Sequence, residues 1–246
     1  GEEVDIYLLR GCGDVWERLG TAVTTEDDTH PTVEGIEDSG GRVYFRIPAG
    51  RELAPGRHRL RLVVAGDLTA TELFVEVLTE DTPLFVSDVD GTLTTSELEE
   101  VGSVIVGGTP NANEGAAETF QALVRKGYRP VYLTARAEWG TERTREFLAR
   151  RGFPPGTVYT SFAHLGLSGD AAEEYKTAAL RRFAQKGFAF ELGFGNTDTD
   201  AAAYRNVGIP ESGRYFFKAD GGSVAGRRFE DYRALDRFSS LPATCR

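Results

Sequence analysis

The chain has 246 residues, 40% hydrophobic and 27% charged, with a formal net charge of −10, a composition that suits one or two folded domains. The acidity lies in front: residues 1–83 hold 17 acids and 8 bases, residues 84–246 hold 21 and 20. Neither part is basic, which argues against nucleic acid as a partner and against adhesion to anionic membranes by bulk charge alone. No stretch approaches the ~20 apolar residues of a membrane-spanning helix. The chain starts at Gly1 and has no methionine, so a removed signal peptide would leave no trace, and the compartment stays open between soluble and peripheral. Cys12 and Cys245 are too few for a zinc site or a disulfide scaffold, and whether they pair is open.

In chain order, Val4–Leu9, Val15–Val23, Arg42–Ile47, His58–Val64 and Glu72–Leu78 are short β-rich runs separated by Gly, Pro, Asp and Ser. His58-Arg59-Leu60-Arg61-Leu62 alternates as a half-buried strand does, and Ala54-Pro55-Gly56 is a turn leading into it. These runs predict a small all-β sandwich domain over residues 1–82. Trp16, Arg18 and the acidic loop Glu26-Asp27-Asp28 read as solvated surface. The polar run Thr79–Pro83 marks the boundary, and residues 83–246 form the second domain.

The second domain opens on the apolar run Leu84-Phe85-Val86, the composition of a strand buried on both faces. It then alternates: helix Glu114–Lys126, strand Tyr128–Thr134, helix Thr141–Arg151, helix Asp170–Lys186, strand Phe188–Gly195, helix Asp198–Asn206, strand Tyr215–Lys218 and helix Glu230–Phe238. Glycines 127, 152 and 187 stop three of the helices. Alternation of this kind predicts an α/β fold with a doubly wound, mainly parallel sheet.

Chemistry in such sheets sits beyond the carboxyl ends of the strands. The first strand ends in Asp88-Val89-Asp90-Gly91-Thr92, two carboxylates one residue apart. The same pattern occurs in ordinary turns and in calcium loops, but a calcium loop needs further oxygen ligands and a later Glu, and Glu97 comes too early. Other polar strand ends or helix starts are Thr134-Ala135-Arg136, Tyr175-Lys176 and Asn196-Thr197-Asp198-Thr199-Asp200. Taken singly, each has a plain structural reading: Thr134 or an Asp as a helix cap, Lys176 as a solvated lysine. Together they make the set that phosphoryl transfer uses. Asp88 is a carboxylate nucleophile and Asp90 a general acid and base. Thr134 donates to a phosphoryl oxygen, and Lys176 neutralises charge. Mg²⁺ takes few protein oxygens, and the Asp88 and Asn196 side chains with the Asp90 main-chain carbonyl suffice for it.

Asp88-x-Asp90-Gly-Thr, Thr134, Lys176 and Gly195-Asn196-x-x-x-Asp200 resemble the four motifs of the haloacid dehalogenase-like phosphatases. Ser87-Asp-Val-Asp-Gly-Thr-Leu-Thr, Leu133-Thr-Ala-Arg136 and Phe194-Gly-Asn196 resemble the lipin-type domain in particular, over about Leu84 to Leu235. The carboxyl-terminal domain of membrane-associated phosphatidylinositol transfer proteins is similar too. The resemblance implies a capless haloacid dehalogenase-like fold and a Mg²⁺-dependent phosphatidate phosphatase. It implies catalytic Asp88, Asp90, Thr134 and Lys176, with Asp88, Asp90, Asn196 and Asp200 at the metal. Gly91, Thr92, Ala135 and Arg136 are expected at the substrate, and Asp198 is an additional acid without an assigned role.

Three functions are therefore weighed: a phosphatase for a phosphorylated lipid with peripheral membrane contact, a phosphatase for a small soluble phosphomonoester, and a non-catalytic module that binds phosphatidic acid. Intact Asp88, Asp90 and Lys176 favour catalysis. The connections after Asp90 and between Arg136 and Lys176 are too short for a sizeable cap, which favours a large or membrane-held substrate. Val104-Ile105-Val106 and Phe162 are the candidate membrane contacts, with packing against the sheet as the alternative.

Overall fold

The computed structural model describes residues 1–11, 13–95, 109–219 and 224–240, apart from the side chains of 236, 237, 239 and 240. Both cysteines and the Val104–Val106 run lie outside the described residues. The chain divides into two compact units, Gly1–Thr79 and Glu80–Arg246.

The front unit is all-β. Strands β1 (Glu3–Leu9), β2 (Glu17–Val23), β3 (Gly56–Val64) and β4 (Ala70–Val77) form one antiparallel sheet in the order β2-β1-β3-β4. Alternation in β1 turns Val4, Ile6 and Leu8 to the buried face. The Arg42–Ile47 run, expected as a strand, joins no sheet among the described residues. Its Val43 and Phe45 instead pack with Leu53 on the Ile6, Leu8 and Leu19 core. Gly20 makes room for this: a Cβ there would lie 3.1 Å from the Phe45 ring. Where the five runs predict a sandwich, the described residues thus form one four-stranded sheet covered by this irregular segment.

The second unit is a six-stranded parallel sheet, order β10-β9-β8-β5-β6-β7. Its strands are β5 (Leu84–Ser87), β6 (Arg129–Ala137), β7 (Thr157–Ser161), β8 (Phe190–Gly195), β9 (Arg214–Phe217) and β10 (Arg227–Phe229). The helices are α1 (Ala116–Arg125), α2 (Thr141–Arg150), α3 (Gly169–Gln185) and α4 (Asp198–Asn206). The chain runs from β5 outward through β6 and β7, then returns through α3 to β8 on the other side of β5. That reversal makes β5 the switch point, where a crevice opens beyond the strand ends. The core beneath it is aromatic, with Phe85, Phe120, Tyr132, Phe194, Tyr215 and Tyr232 all buried.

Three expectations change. β7 and β10 are strands that sequence periodicity does not reveal: Thr157–Ser161 is largely polar and Arg227–Phe229 has two arginines, as suits the sheet's outer positions. The Glu230–Phe238 helix is instead a 3-10 segment, Tyr232–Ser240, interrupted at Leu235. α1 begins at Ala116 because Gly115 takes a left-handed φ of 81° before it, and a side chain there would meet Arg233.

Candidate active site

The site grows from the β5 end. Asp88 N–H still donates to the Phe194 carbonyl of β8 (2.9 Å), so its side chain leaves the sheet at the crevice. The chain then turns tightly: Val89 O accepts from Leu93 N (2.8 Å), and Gly91 has φ +70°, a conformation that favours glycine. The loop is locked from two sides. Asn113 Nδ2 donates to the carbonyls of Thr92 (2.8 Å) and Thr94 (3.0 Å), and Tyr232 hydroxyl donates to Thr92 O (3.0 Å). Neither Asn113 nor Tyr232 carries a sequence signal, because the loop that needs them exists only in the folded chain.

Lys176, on the inner face of α3, sits between two carboxylates. Its Nζ donates to Asp88 Oδ1 and to Asp200 Oδ1, each at 2.7 Å, and all three side chains are at most 6% exposed. The sequence alternative of a solvated lysine is ruled out by this burial. Asp200 is held on its other side by the α4 capping box. Its Oδ2 accepts from Asn196 N and Thr197 N (3.1 Å each) and from Thr197 Oγ1 (2.8 Å). Gly195 is required beside it, since a Cβ would come within 2.5 Å of Asp200 Cβ. Asp200, expected among the metal ligands, therefore has both oxygens engaged and orients Lys176 and the Asn196 loop. Asp198 is exposed on the first turn of α4, where a carboxylate suits the helix N-terminus.

Asp90 stands nearer the cavity mouth. Thr134 Oγ1 donates to its Oδ2 (2.8 Å), and Arg136 grips it edge-on, Nη2 to Oδ1 at 2.7 Å and Nε to both oxygens at 3.0 Å. Thr134, expected as a catalytic donor to a phosphoryl oxygen, and Arg136, expected at the substrate, are both turned to Asp90. Thr92 Oγ1 lies 3.2 Å from Asp88 Oδ2 and 2.9 Å from Asn196 Oδ1, behind the cavity, while Ala135 lines it. Gly91 serves the turn. The cavity has a volume of about 730 Å³ and also exposes Asp88, Asp90, Lys176 and Asn196 on its wall, with Leu165 and Leu167 on the β7–α3 loop.

Burial, reinforced by the charges of Asp200 and Asp90 and opposed by Lys176, pushes the Asp88 carboxyl up to about 7. Burial works against the Lys176 charge, but Asp200 and Asp88 outweigh it and hold the ammonium above its usual range. Asp88 and Asp200 share a single buried ammonium, so the cluster is one positive charge short. Asp88 Oδ2 and Asn196 Oδ1 both lie within hydrogen-bond distance of the Thr92 hydroxyl, which brings a carboxylate and an amide oxygen together at the cavity wall. A hard divalent cation fits that donor set in both charge and ligand type. Among the described residues no three His, Cys, Asp or Glu side chains gather as a metal cage.

The sequence model of the PITM 1-3, LNS2 domain matches residues 85–218. Membrane-associated phosphatidylinositol transfer protein 1 of Rattus norvegicus is 30% identical over 242 residues, 98% of this chain and 17% of that protein. Protein retinal degeneration B of Drosophila melanogaster is 29% identical over 212 residues, 85% of this chain and 15% of that protein. The chain therefore spans less than a fifth of these relatives. Among solved structures, D,D-heptose 1.7-bisphosphate phosphatase from B. bronchiseptica, complexed with magnesium and phosphate, has a TM-score of 0.46 and 14% identity over 63% of this chain and 96% of that one. Phosphoserine phosphatase in its apo form has a TM-score of 0.43 and 14% identity, over 64% and 98% respectively. With the family pattern running from β5 to the end of β9, over more than half of the chain, this chain belongs to the LNS2-domain family of PITM 1-3.

Proposed function

We propose that this chain is a Mg²⁺-dependent phosphomonoester phosphatase whose substrate is a lipid phosphate, phosphatidic acid in the first instance. The observation that carries the reading is the buried Asp88–Lys176–Asp200 triad opening onto a cavity beside Asp90. Asp88 attacks phosphorus while the bond from phosphorus to the ester oxygen breaks, and Asp90 gives that oxygen its proton. Water then attacks the aspartyl-phosphate, passing its proton to Asp90 as the bond from phosphorus to Asp88 breaks. Phosphate leaves and both carboxyl groups return to their starting states. Lys176 stays ionised throughout and meets the charge on the phosphoryl oxygens. Mg²⁺, bound by Asp88, Asn196 and the Asp90 main-chain carbonyl, would add positive charge against those same oxygens. Asp200 holds Lys176 and the Asn196 backbone in place.

The lipid part of the reading rests on the cavity mouth. No helix among the described residues is long and apolar enough to cross a membrane. Yet Trp139 is 68% exposed and Leu165 98%, and Phe162, close to Leu165 in the chain, is 48% exposed. The Trp139 indole donates to His164 O (2.9 Å), which ties the 3-10 turn after β6 to the loop after β7. Leu165 lines the cavity, and the stretch Phe162–Gly169 carries no carboxylate, so an anionic interface meets no repulsion there. The transfer protein 1 relative is membrane-associated by name, which agrees with this surface.

Phosphate release from phosphatidic acid in mixed micelles and from a soluble aryl phosphate, with Mg²⁺ and with excess chelator, tests both parts. The expected result is kcat/KM at least about tenfold higher for the lipid, no release in chelator, and a weakened Mg²⁺ response in Asn196→Ala. Full activity in chelator contradicts the metal, and equal use of the soluble ester contradicts the lipid. A second reading has the transfer-protein relatives in its favour: a domain that recognises a phosphorylated lipid without turning it over. Tight binding of phosphatidic acid with no phosphate release selects that reading.

A further inference from the structure

The sequence places Arg136 among the substrate contacts, but its guanidinium is spent elsewhere. Nε and Nη2 fork onto Asp90, and Nη1 donates to Thr144 Oγ1 at 2.8 Å. Thr144 lies fully buried in the first turns of α2, and its hydroxyl donates in turn to Gly140 O at 3.0 Å. A buried hydroxyl is costly unless satisfied, and this one is satisfied as donor and as acceptor. Gly140 O, Thr144, Arg136 and Asp90 therefore form one continuous polar line from the α2 start to the cavity wall.

We infer that Arg136 is a positioning residue for Asp90, set in place by Thr144, and not a ligand of the substrate phosphate. The inference rests on the phosphatase reading above. Asp90 has to face the leaving oxygen in one step and a water in the next, so its carboxyl must keep one orientation through both. A single hydrogen bond leaves a carboxyl free to rotate; an edge-on guanidinium does not. Thr134 Oγ1 on Oδ2 closes the remaining direction. Arg136 can supply this geometry only if its own plane is fixed, and the Thr144 hydroxyl fixes it from the far end. Lysine keeps the charge but has no fork, so Arg136→Lys separates position from charge.

The test is steady-state kinetics on the full chain with a soluble aryl phosphate and Mg²⁺, with melting curves to confirm folding. Arg136→Lys is expected to lower kcat about 100-fold and to change KM by less than about twofold. Thr144→Val, which keeps shape but loses the hydroxyl, is expected to lower kcat about tenfold, and Thr144→Ser to restore most of it. If Arg136→Lys raises KM and leaves kcat intact, Arg136 is a substrate ligand and the inference is wrong. If Thr144→Val keeps the parent kcat, Thr144 has no positioning role. Should Arg136→Lys fail to fold, the Thr144→Val and Thr144→Ser pair decides by the same comparison. A parent chain that turns over no phosphate ester overturns the phosphatase reading and this inference together, whereas turnover with the KM pattern overturns the inference alone.

Discussion

Asp88→Asn is expected to abolish phosphate release, by at least about 10³-fold, while leaving the fold intact. Asparagine is nearly isosteric, and its amide oxygen can still accept from Lys176, but it cannot form the acyl-phosphate. The same substitution is expected to raise stability in metal-free buffer. Folding moves the Asp88 carboxyl from about 3.9 in the unfolded chain up to about 7, chiefly through burial. Between those values the folded state binds more proton than the unfolded one, so this group's contribution is full below the unfolded value and is lost as pH rises through the folded one. The variant lacks that loss. Its melting temperature in chelator is therefore expected to pull ahead of the parent's as pH rises from 4 to 7, with the gap flat above that. Loss of activity without a pH-dependent gap would mean that Asp88 is not a strained buried carboxyl. More than a small fraction of parent turnover would mean that it is not the nucleophile.

Lys176→Met is expected to remove activity as completely and, unlike Asp88→Asn, to destabilise the fold. Methionine fills a similar volume, but it leaves Asp88 and Asp200 buried against each other with no cation. Breaking a buried pair from one side costs roughly 3–5 kcal/mol, a loss that urea denaturation resolves easily. The double variant Lys176→Met, Asp200→Asn removes one of the stranded charges and is expected to regain part of that stability with no gain in activity. Parent-like stability of Lys176→Met would show that the triad is not buried as described. A double variant no more stable than the single one would show that Asp200 is not the partner left unpaired.

What the sequence disclosed and what it withheld divide along physical lines. Asp88, Asp90, Thr134, Lys176, Asn196 and Asp200 are legible because each follows a strand end or sits on a helix at a spacing that the chemistry demands. The alternation of strands and helices from Leu84 onward is legible for the same reason: periodicity is local. Partner choice is not local. Nothing in the order of residues says that Thr134 and Arg136 turn to Asp90, or that Asp200 gives both oxygens to Lys176 and the α4 cap, since those atoms meet only after β5, β6, β8 and α3 have packed. Thr144 and Asn113 were invisible for that reason as well, being ordinary polar residues until a guanidinium or a loop carbonyl arrives beside them. In the front unit, Val43 and Phe45 alternate as a strand does and reach the core, yet residues 42–47 join no sheet among the described residues.

The central claim is a covalent phosphoryl group on Asp88, and trapping it is the most direct measurement. The chain is quenched in acid during turnover of excess phosphatidic acid, reduced with borohydride, and digested for mass spectrometry. The expected result is conversion of residue 88 to homoserine, the reduction product of an acyl-phosphate, dependent on Mg²⁺ and absent from Asp88→Asn. Steady phosphate release with residue 88 unconverted, or with the modification on another side chain, would contradict the account.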